Sequence, residues 1–353
     1  MAGQEITAMF VTRKWAPAVG GMETYSMRLT EELARLVDLE CVVLPGRQDG
    51  SPPGTTALLR FPLTFLRRYM ARPSVPDILH LGDLALWPLG LVAWPGRLTR
   101  IVISAHGTDV AYHRRGGLKG RLYGAYLRFG ASVLRRAKII ANSRATRDVL
   151  RETGWNDAAV VPLATDMTGP PPTGEHNGRI LFAGRLVKRK GCAWFIREVL
   201  PLLPEEIELD VAGTGWDEDE KAALDNPRVR YLGALNQVEL GHAYREALCV
   251  IVPNIAVPSG EYEGFGLVAP EAASAGGIVF AAATGGLTDA LIDGETGFLV
   301  GSGDVRAWVN AIVRIIGWDL QTRRSFVAPS QTLAKEAFAW QRMAKQTVDA
   351  YPP

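Results

Sequence analysis

Short apolar, β-branched runs alternate with amphipathic stretches along nearly the whole chain, and this alternation limits the fold more than any other feature. The runs are residues 6–12, 39–44, 77–81, 100–104, 138–142 and 158–162, then, after an interruption, 179–183, 207–212, 229–232, 249–253, 277–282 and 297–300. Between the first two lie Met22, Tyr25, Leu29, Leu33 and Leu36, at the three- or four-residue spacing of one helix face. Strand runs alternating with helical ones predict βαβ units and parallel sheets. The interruption, TGPPPTGEHNG at 168–178, is rich in Pro, Gly and polar residues, cannot pack as a helix or strand, and reads as a linker. The expected fold class is α/β, with two Rossmann-like parallel-sheet domains facing each other across a cleft. The first covers residues 1–168, the linker 169–178 and the second 179–333. A last helical stretch, 334–351, carries Phe338 and Trp340 and is expected to pack back on the first domain.

The 353 residues, 47% hydrophobic and 22% charged, suffice for two cores. No apolar run reaches the roughly 18 residues needed to span a bilayer. The opening MAGQEITAMF has no basic leader ahead of a long apolar core, so no secretory signal is expected. Cys41, Cys192 and Cys249 make neither a disulfide framework nor a zinc site and fit a reducing, cytoplasmic compartment. Disorder, collagen, coiled coil and small stapled domains are excluded. Charge is uneven: through Thr168 there are 22 Lys and Arg against 14 Asp and Glu, a net +8, and the remainder has 17 against 23, a net −6. A basic half predicts an anionic partner; chance imbalance over a solvated surface is the plain alternative.

Motifs follow the strand runs. After the first, KWAPAVGGME (14–23) enters a helix without the G-x-G-x-x-G dinucleotide turn, which argues against an NAD-type domain. Gly20 and Gly21 at a helix N-terminus let backbone N–H groups approach a phosphate; a flexible loop is the alternative. The second series opens with GRLVKRKG (184–191). Arg185 and Lys190 would point into the cleft where a diphosphate needs cations, while Lys188 and Arg189 read as a solvated basic loop. The densest signal is EYEGFGLVAPEA (261–272). Glu263 and Glu271, with seven residues between them, flank a loop-to-helix junction where carboxylates can accept from vicinal hydroxyls. The amides of Gly264, Phe265, Gly266, Leu267 and Val268 there suit phosphate or sugar oxygens, unless the two acids are merely solvated beside a glycine bend. Asp217-Glu218-Asp219 has the look of a metal-binding pair, but it follows Gly215-Trp216 at an expected helix start, where acids favour the dipole. His80, His113, His176 and His242 show no ligand spacing. No metal site is expected.

Together with HGTD (106–109), IANS (140–143), VAGTG (211–215), TGGLTD (284–289) and DGETGFLV (293–300), these pieces stand in an order and spacing that resembles the family 4 retaining glycosyltransferases of GT-B fold, the group 1 glycosyl transferases, over nearly the whole length. The resemblance implies transfer of a hexose-type sugar from a nucleoside-diphosphate sugar to a hydroxyl acceptor, with no metal and no other cofactor. It implies that Gly21, in the pair with Gly20, contacts the donor diphosphate, that Arg185 and Lys190 neutralise it, and that Glu271 holds the ribose hydroxyls. Glu263 would grip the sugar's hydroxyls, assisted by amides around Phe265, Gly266 and Leu267. His106 would lie near the anomeric carbon on the acceptor side, and Asp109 would orient that loop or meet acceptor hydroxyls. In the mechanism the resemblance implies, the leaving phosphate takes the acceptor's proton on the same face; no nucleophilic carboxylate is assigned, Glu263 being the nearest candidate. Four features depart from the family pattern: the longer loop at 254–262, Ile278 where proline is common, Asp289 for a frequent glutamate, and Ala164 for glycine. The loop leaves the donor sugar open, and residues 231–236, expected to meet the base, do not distinguish UDP from GDP.

The resemblance further implies that the acceptor binds mainly to the N-terminal domain. There, residues 61–72 and 113–138 mix Arg with large apolar side chains, a combination that binds anionic membrane surfaces. A lipid-linked or cell-envelope glycan acceptor, met by a peripheral enzyme at the cytoplasmic leaflet, is the expectation. The alternative, apolar residues facing the core and arginines facing water, stays open. Nucleic acid is a poor partner, since no nucleic-acid module is present. A monomer is expected. Two other classes compete with the transferase: a GT-B nucleotide-sugar epimerase, and a non-catalytic nucleotide-sugar-binding module.

Overall fold

The computed structural model describes residues 6–93, 99–215 and 217–352. The first five residues, where a leader was weighed, and Trp216 lie outside the described residues. The chain separates into two compact units, Met1–Leu163 with Trp340–Pro353, and Ala164–Ala339.

Unit 1 runs β1 (Thr7–Thr12), α1 (Gly21–Leu33), β2 (Asp38–Val43), α2 (Thr55–Met70), β3 (Ile78–Leu81), β4 (Arg100–Ala105), α3 (Thr108–Ala111), α4 (Gly117–Val133), β5 (Lys138–Ala141), α5 (Arg144–Arg151) and β6 (Ala158–Val160), with a 3₁₀ segment Leu84–Ala93 between β3 and β4. The strands form one parallel sheet in the order β2-β1-β3-β4-β5-β6. Central strands of a parallel sheet are covered on both faces, so their runs are continuously apolar: Ala8, Met9, Phe10 and Val11 are fully buried. The chain goes from β1 outward to β2, then back past β1 to β3 and on to β6. With right-handed crossovers, α1 covers one face, and α2, the 3₁₀ segment, α4 and α5 cover the other.

Unit 2 runs β7 (Ile180–Ala183), α6 (Cys192–Trp194), β8 (Leu209–Ala212), α7 (Glu218–Ala222), β9 (Val229–Gly233), α8 (Gln237–Glu246), β10 (Cys249–Val252), α9 (Val268–Ala275), β11 (Val279–Ala282), β12 (Phe298–Val300), α10 (Val305–Ile316) and α11 (Leu320–Ala337). Its parallel sheet has the order β12-β11-β10-β7-β8-β9. All twelve sequence runs are strands here. The segment 168–178 is irregular but tied down: Lys335 Nζ donates to Gly169 O at 2.9 Å, and Asn177 N donates to Glu246 O at 2.8 Å.

Two helical expectations are corrected. The first helix ends at Leu33, and Leu36 is half exposed in the following turn. The stretch 334–351 is not one helix. It breaks at Phe338, whose φ of −118° and ψ of 28° leave the helical region, and resumes as α12 (Trp340–Asp349), which packs on α1. Phe338 is buried edge-on against Phe265, with ring centroids 6.3 Å apart. Core packing at that ring outweighs helix continuation.

Candidate functional site

In unit 2, β7 and β10 are hydrogen-bonded neighbours, Leu181 beside Val250, but the chain leaves them in opposite directions, β7 toward β8 and β10 toward β11. Loops that diverge from adjacent strand ends open a crevice, the usual ligand position in such sheets. The loop after β7 makes a 3₁₀ turn, Lys188–Lys190, closed by Gly191 at φ 72°. A Cβ on Gly191 would stand 2.1 Å from Pro253 O, so only glycine lets this turn press against the loop after β10. The backbone joins the two loops directly, with Ile255 N donating to Arg189 O at 3.1 Å.

Three donors then converge on a single oxygen. Lys190 Nζ and Arg189 Nη1 each lie 2.6 Å from Glu263 Oε2, and Asn254 Nδ2 lies 3.1 Å from it. The Lys190, Arg189 and Glu263 side chains are 11%, 13% and 13% exposed. Burial alone would raise the Glu263 carboxyl, but the two cations overrule it and hold it at about 2. The carboxylate is ionised at neutral pH, Oε2 is saturated, and Oε1 takes none of these bonds. Glu263 is fixed from its backbone side too: Gly286 N donates to Glu263 O at 2.8 Å, and a Cβ on Gly286 would stand 2.1 Å from Gly264 O. This close approach is the physical content of the TGGLTD motif.

Glu271 sits in the first turn of α9, where Tyr244 Oη donates to its Oε2 at 3.3 Å. Burial pushes its carboxyl above the ordinary range; the Tyr244 hydrogen bond and the Lys190 charge pull it only part way back. Lys190 therefore acts on both acids. No side chain caps the N-terminus of α9; Ala269 N donates to Gly266 O at 3.1 Å, which leaves the Leu267 and Val268 amides for a ligand. The structure brings together Lys190, Glu263, Glu271, Gly264, Phe265, Gly266 and Leu267. Arg185 is exposed at the end of β7 and, among the described residues, joins no ion pair. Arg189, read from sequence as solvated, is corrected: it is a part-buried partner of Glu263. Sequence reading also missed Asn254 and Tyr244. Asn254 was visible as the second residue past β10, facing the carboxylate, whereas Tyr244 comes from a different helix and left no local signal.

Unit 1 has a matching switch point between β1 and β3. Arg13 Nε and Nη2 donate to the two oxygens of the fully buried Asp83, at 3.0 and 3.3 Å. His106, after β4, directs Nε2 to Gly82 O at 3.0 Å. A carbonyl only accepts, so Nε2 carries a proton, and in the neutral tautomer the lone pair is on Nδ1. Asp109 accepts from His106 N at 2.9 Å and Leu84 N at 3.1 Å, which makes it a positioning residue for the loop. Burial pushes its carboxyl up; the His106 imidazole opposes this and Asp83 adds to it. The Tyr25 ring meets His106 edge-on, with centroids 4.3 Å apart, and Tyr25 Oη bonds Ser104 Oγ at 2.7 Å. Ser104 Oγ in turn bonds His80 Nε2 at 2.8 Å, so His80 is part of a buried network. Gly20 and Gly21 begin α1 and differ from each other. A Cβ on Gly20 would meet Glu23 Oε2 at 2.5 Å, whereas one on Gly21 would meet nothing within 4 Å.

The acidic run at 217–219 has protein partners. Asp217 caps α7, and Asp219 is held by Arg197 at 2.8 Å. Among the described residues no group of three or more His, Cys, Asp or Glu is placed to hold a metal ion, and no helix is long and apolar enough to cross a membrane.

Comparison with known proteins gives the family and the fold. The family described as glycosyltransferase family 4 matches residues 19–168, and that described as glycosyl transferases group 1 matches residues 177–317. The D-inositol 3-phosphate glycosyltransferase of a Nocardioides species is 34% identical over 194 residues, 49% of this chain and 41% of the relative. The chain spans about half the length of the curated relatives it matches. The sucrose-phosphate synthase of Thermosynechococcus elongatus superposes with a TM-score of 0.72 at 21% identity, covering 97% of this chain and 98% of that one. Anabaena HepE in complex with UDP and glucose gives 0.71 at 18% identity, with the same coverage. The fold is GT-B.

Proposed function

Because the chain belongs to the group 1, family 4 glycosyltransferases, we propose that it is a hexosyltransferase moving sugar from a UDP-sugar to a hydroxyl of a glycan or lipid-linked acceptor, with retention of configuration. The observation that carries this is the convergence of Lys190 and Arg189 on Glu263 beside the uncapped start of α9. Lys190 and Arg189, with the exposed Arg185 beside them in this reading, set three cations against Glu263 and Glu271, and an excess of positive charge in a part-buried crevice is what a diphosphate requires. UDP is the first donor base to try, since HepE was solved with it.

In this reading Lys190, the α9 amides and the exposed Arg185 hold the diphosphate. Glu271 takes the ribose hydroxyls and Glu263 Oε1 a sugar hydroxyl. The acceptor oxygen approaches C1 on the face from which the diphosphate departs. A C1–O bond to the acceptor forms, the C1–O bond to phosphate breaks, and the acceptor's proton passes to the departing phosphate oxygen. Negative charge grows on that oxygen in the transition state, where Lys190 stabilises it more than in the ground state. His106 offers Nδ1 to a hydroxyl near the reacting carbon, and Asp109 holds its loop. The chain's own cations supply the charge, so activity is expected to survive chelation by EDTA.

The test is release of UDP that depends on acceptor, preceded by thermal unfolding with UDP, GDP, ADP and TDP. A nucleotide at about a hundredfold over its Kd stabilises the folded chain by about 2.7 kcal/mol. Glu271→Ala is expected to weaken nucleotide binding, and Glu263→Gln to remove transfer while sparing it. Conversion of the sugar without UDP release would mean an epimerase, and UDP binding with neither reaction a non-catalytic module; either overturns the proposal.

A further inference from the structure

Two helices of unit 1 turn apolar side chains to water, where a helix face over a core ordinarily carries polar ones. α2 buries Phe61 and Phe65 but leaves Leu59, Leu63, Leu66 and Met70 exposed, at 74%, 59%, 38% and 74%. Their spacing of four, three and four residues sets them in one stripe. α4 repeats the pattern. It buries Leu127 and exposes Leu118, Leu122 and Phe129 at 71%, 61% and 62%, with the exposed Ala125 completing the same spacing. The crossovers put both helices on one face of the sheet, and both touch the 3₁₀ segment Leu84–Ala93, where Leu91 is exposed as well.

Charge follows the same face. Between Asp49 and Asp148 the sequence has 16 Lys and Arg against three acids. Each acid is engaged elsewhere: Asp77 with Thr7, Asp83 with Arg13, and Asp109 with two backbone amides. Arg72, in the basic segment after α2, is spent on Glu40. Arg60, Arg67 and Arg68 on α2 and Lys119, Arg121 and Arg128 on α4 are exposed and, among the described residues, have no acidic partner.

A second copy of the chain fits this face poorly, because stripe against stripe would bring two sets of unpaired cations together. A nucleic acid would use the arginines and leave the leucines wet. An anionic bilayer surface answers both, with phosphates for the cations and the acyl boundary for the stripe. We propose that α2 and α4 form a docking face for an anionic lipid bilayer, with Leu59, Leu63, Met70, Leu118, Leu122 and Phe129 seated at the headgroup boundary. The inference rests on the proposed transferase only for its meaning, that the acceptor is met at a membrane; its test needs neither donor nor acceptor.

That test is sedimentation of the full chain with phosphatidylcholine vesicles, with and without about a third phosphatidylglycerol, a lipid that supplies the anionic surface. Binding is expected only to the anionic vesicles and is expected to fall with salt. Leu63→Gln with Leu122→Gln keeps helix propensity and is expected to lower partitioning at least tenfold, since roughly four methylenes leave the boundary in each. Arg60→Gln with Arg67→Gln is expected to lower it about fivefold for each charge removed. UDP affinity, read on the same variants, is expected to stay unchanged, which separates this face from the transferase site. Equal binding to neutral vesicles, no binding at all, or indifference to both double variants overturns the proposal. So does a concentration-dependent dimer that the leucine variants dissolve, which would give the face to a second copy.

Discussion

Each unit has one switch point, β1 beside β3 in the first and β7 beside β10 in the second, and each sets a cation on one loop against a carboxylate on the other. The two pairs are built differently. Arg13 and Asp83 meet fork to fork, both carboxylate oxygens are taken, and the acid is fully buried. At Glu263 two cations and an amide crowd Oε2 and leave Oε1 over. A saturated pair can only lock two loops together, whereas an unbalanced one retains charge and an acceptor for a ligand. The same place in the topology is thus a clasp in unit 1 and, in the proposed reading, a site in unit 2.

The sharpest way to break that comparison is to remove one cation from each. Lys190→Ala is expected to lower turnover by roughly 10²–10³-fold, the loss typical of a preorganised transition-state donor, with little change in Tm because Arg189 still holds Glu263. Arg13→Ala strands a buried carboxylate and is expected to cost about 3 kcal/mol of stability, while turnover per folded molecule holds. Measuring kcat and Tm for both variants decides it. If Arg13→Ala removed activity without stability, the clasp would be part of the site.

Acid should separate the units more gently. Burial, with a further push from His106, holds His80 at about 3, below its unfolded value of 6.5. Below pH 6.5 the unfolded chain binds a proton that the folded chain refuses, so unit 1 loses about 1.4 kcal/mol per pH unit until about 3. Glu263 is held at about 2 against an unfolded 4.5, so its contribution is intact above 4.5 and lost only as pH falls toward 2. Between pH 6.5 and 4.5 unit 1 is expected to weaken more than unit 2, whose exposed His176 is also held below the usual value, by partial desolvation and by Arg323. Hydrogen exchange, corrected for intrinsic rates, should show β3 and β4 losing protection while β7 and β10 keep theirs, and His80→Gln should flatten the difference. Simultaneous loss above pH 4.5 would mean the two acid responses are not local.

Sequence carried the central strands well because a parallel sheet buried on both faces forces apolar runs there, whereas the largely exposed edge strands β2 and β9 were legible from their β-branched residues and their place in the alternation. It carried Glu263, Glu271 and Lys190 because loop glycines and charges stood close together along the chain. It failed at Arg189, since one basic residue beside another gives no sign of which points inward until the turn closed by Gly191 is built. It failed at Tyr244 and at Arg13 with Asp83, whose partners are 27 and 70 residues away. The break at Phe338 was unreadable for the same reason, because the ring that holds it there is Phe265. Local periodicity decides elements; contacts across the sheet decide which charged residue is paired with which.

The smallest effects concern the glycine pairs, and they separate architecture from ligand contact. Gly286→Ala forces a Cβ to 2.1 Å from Gly264 O and 2.7 Å from Phe265 Cα, both backbone atoms that cannot swing aside. It is expected to cost about 1–3 kcal/mol and to displace Glu263, so that stability and turnover fall together. Gly21→Ala meets nothing within 4 Å and stands at the start of α1. Alanine is the better helix former, so Tm is expected to hold or rise by up to about 1 kcal/mol in stability. Any loss of UDP affinity in that variant then has no structural cause left except a ligand that comes as close as a Cβ would. Isothermal titration of UDP against the Gly21→Ala chain reads it directly. Weaker binding would mean that the nucleotide comes against the start of α1, and unchanged binding that it does not.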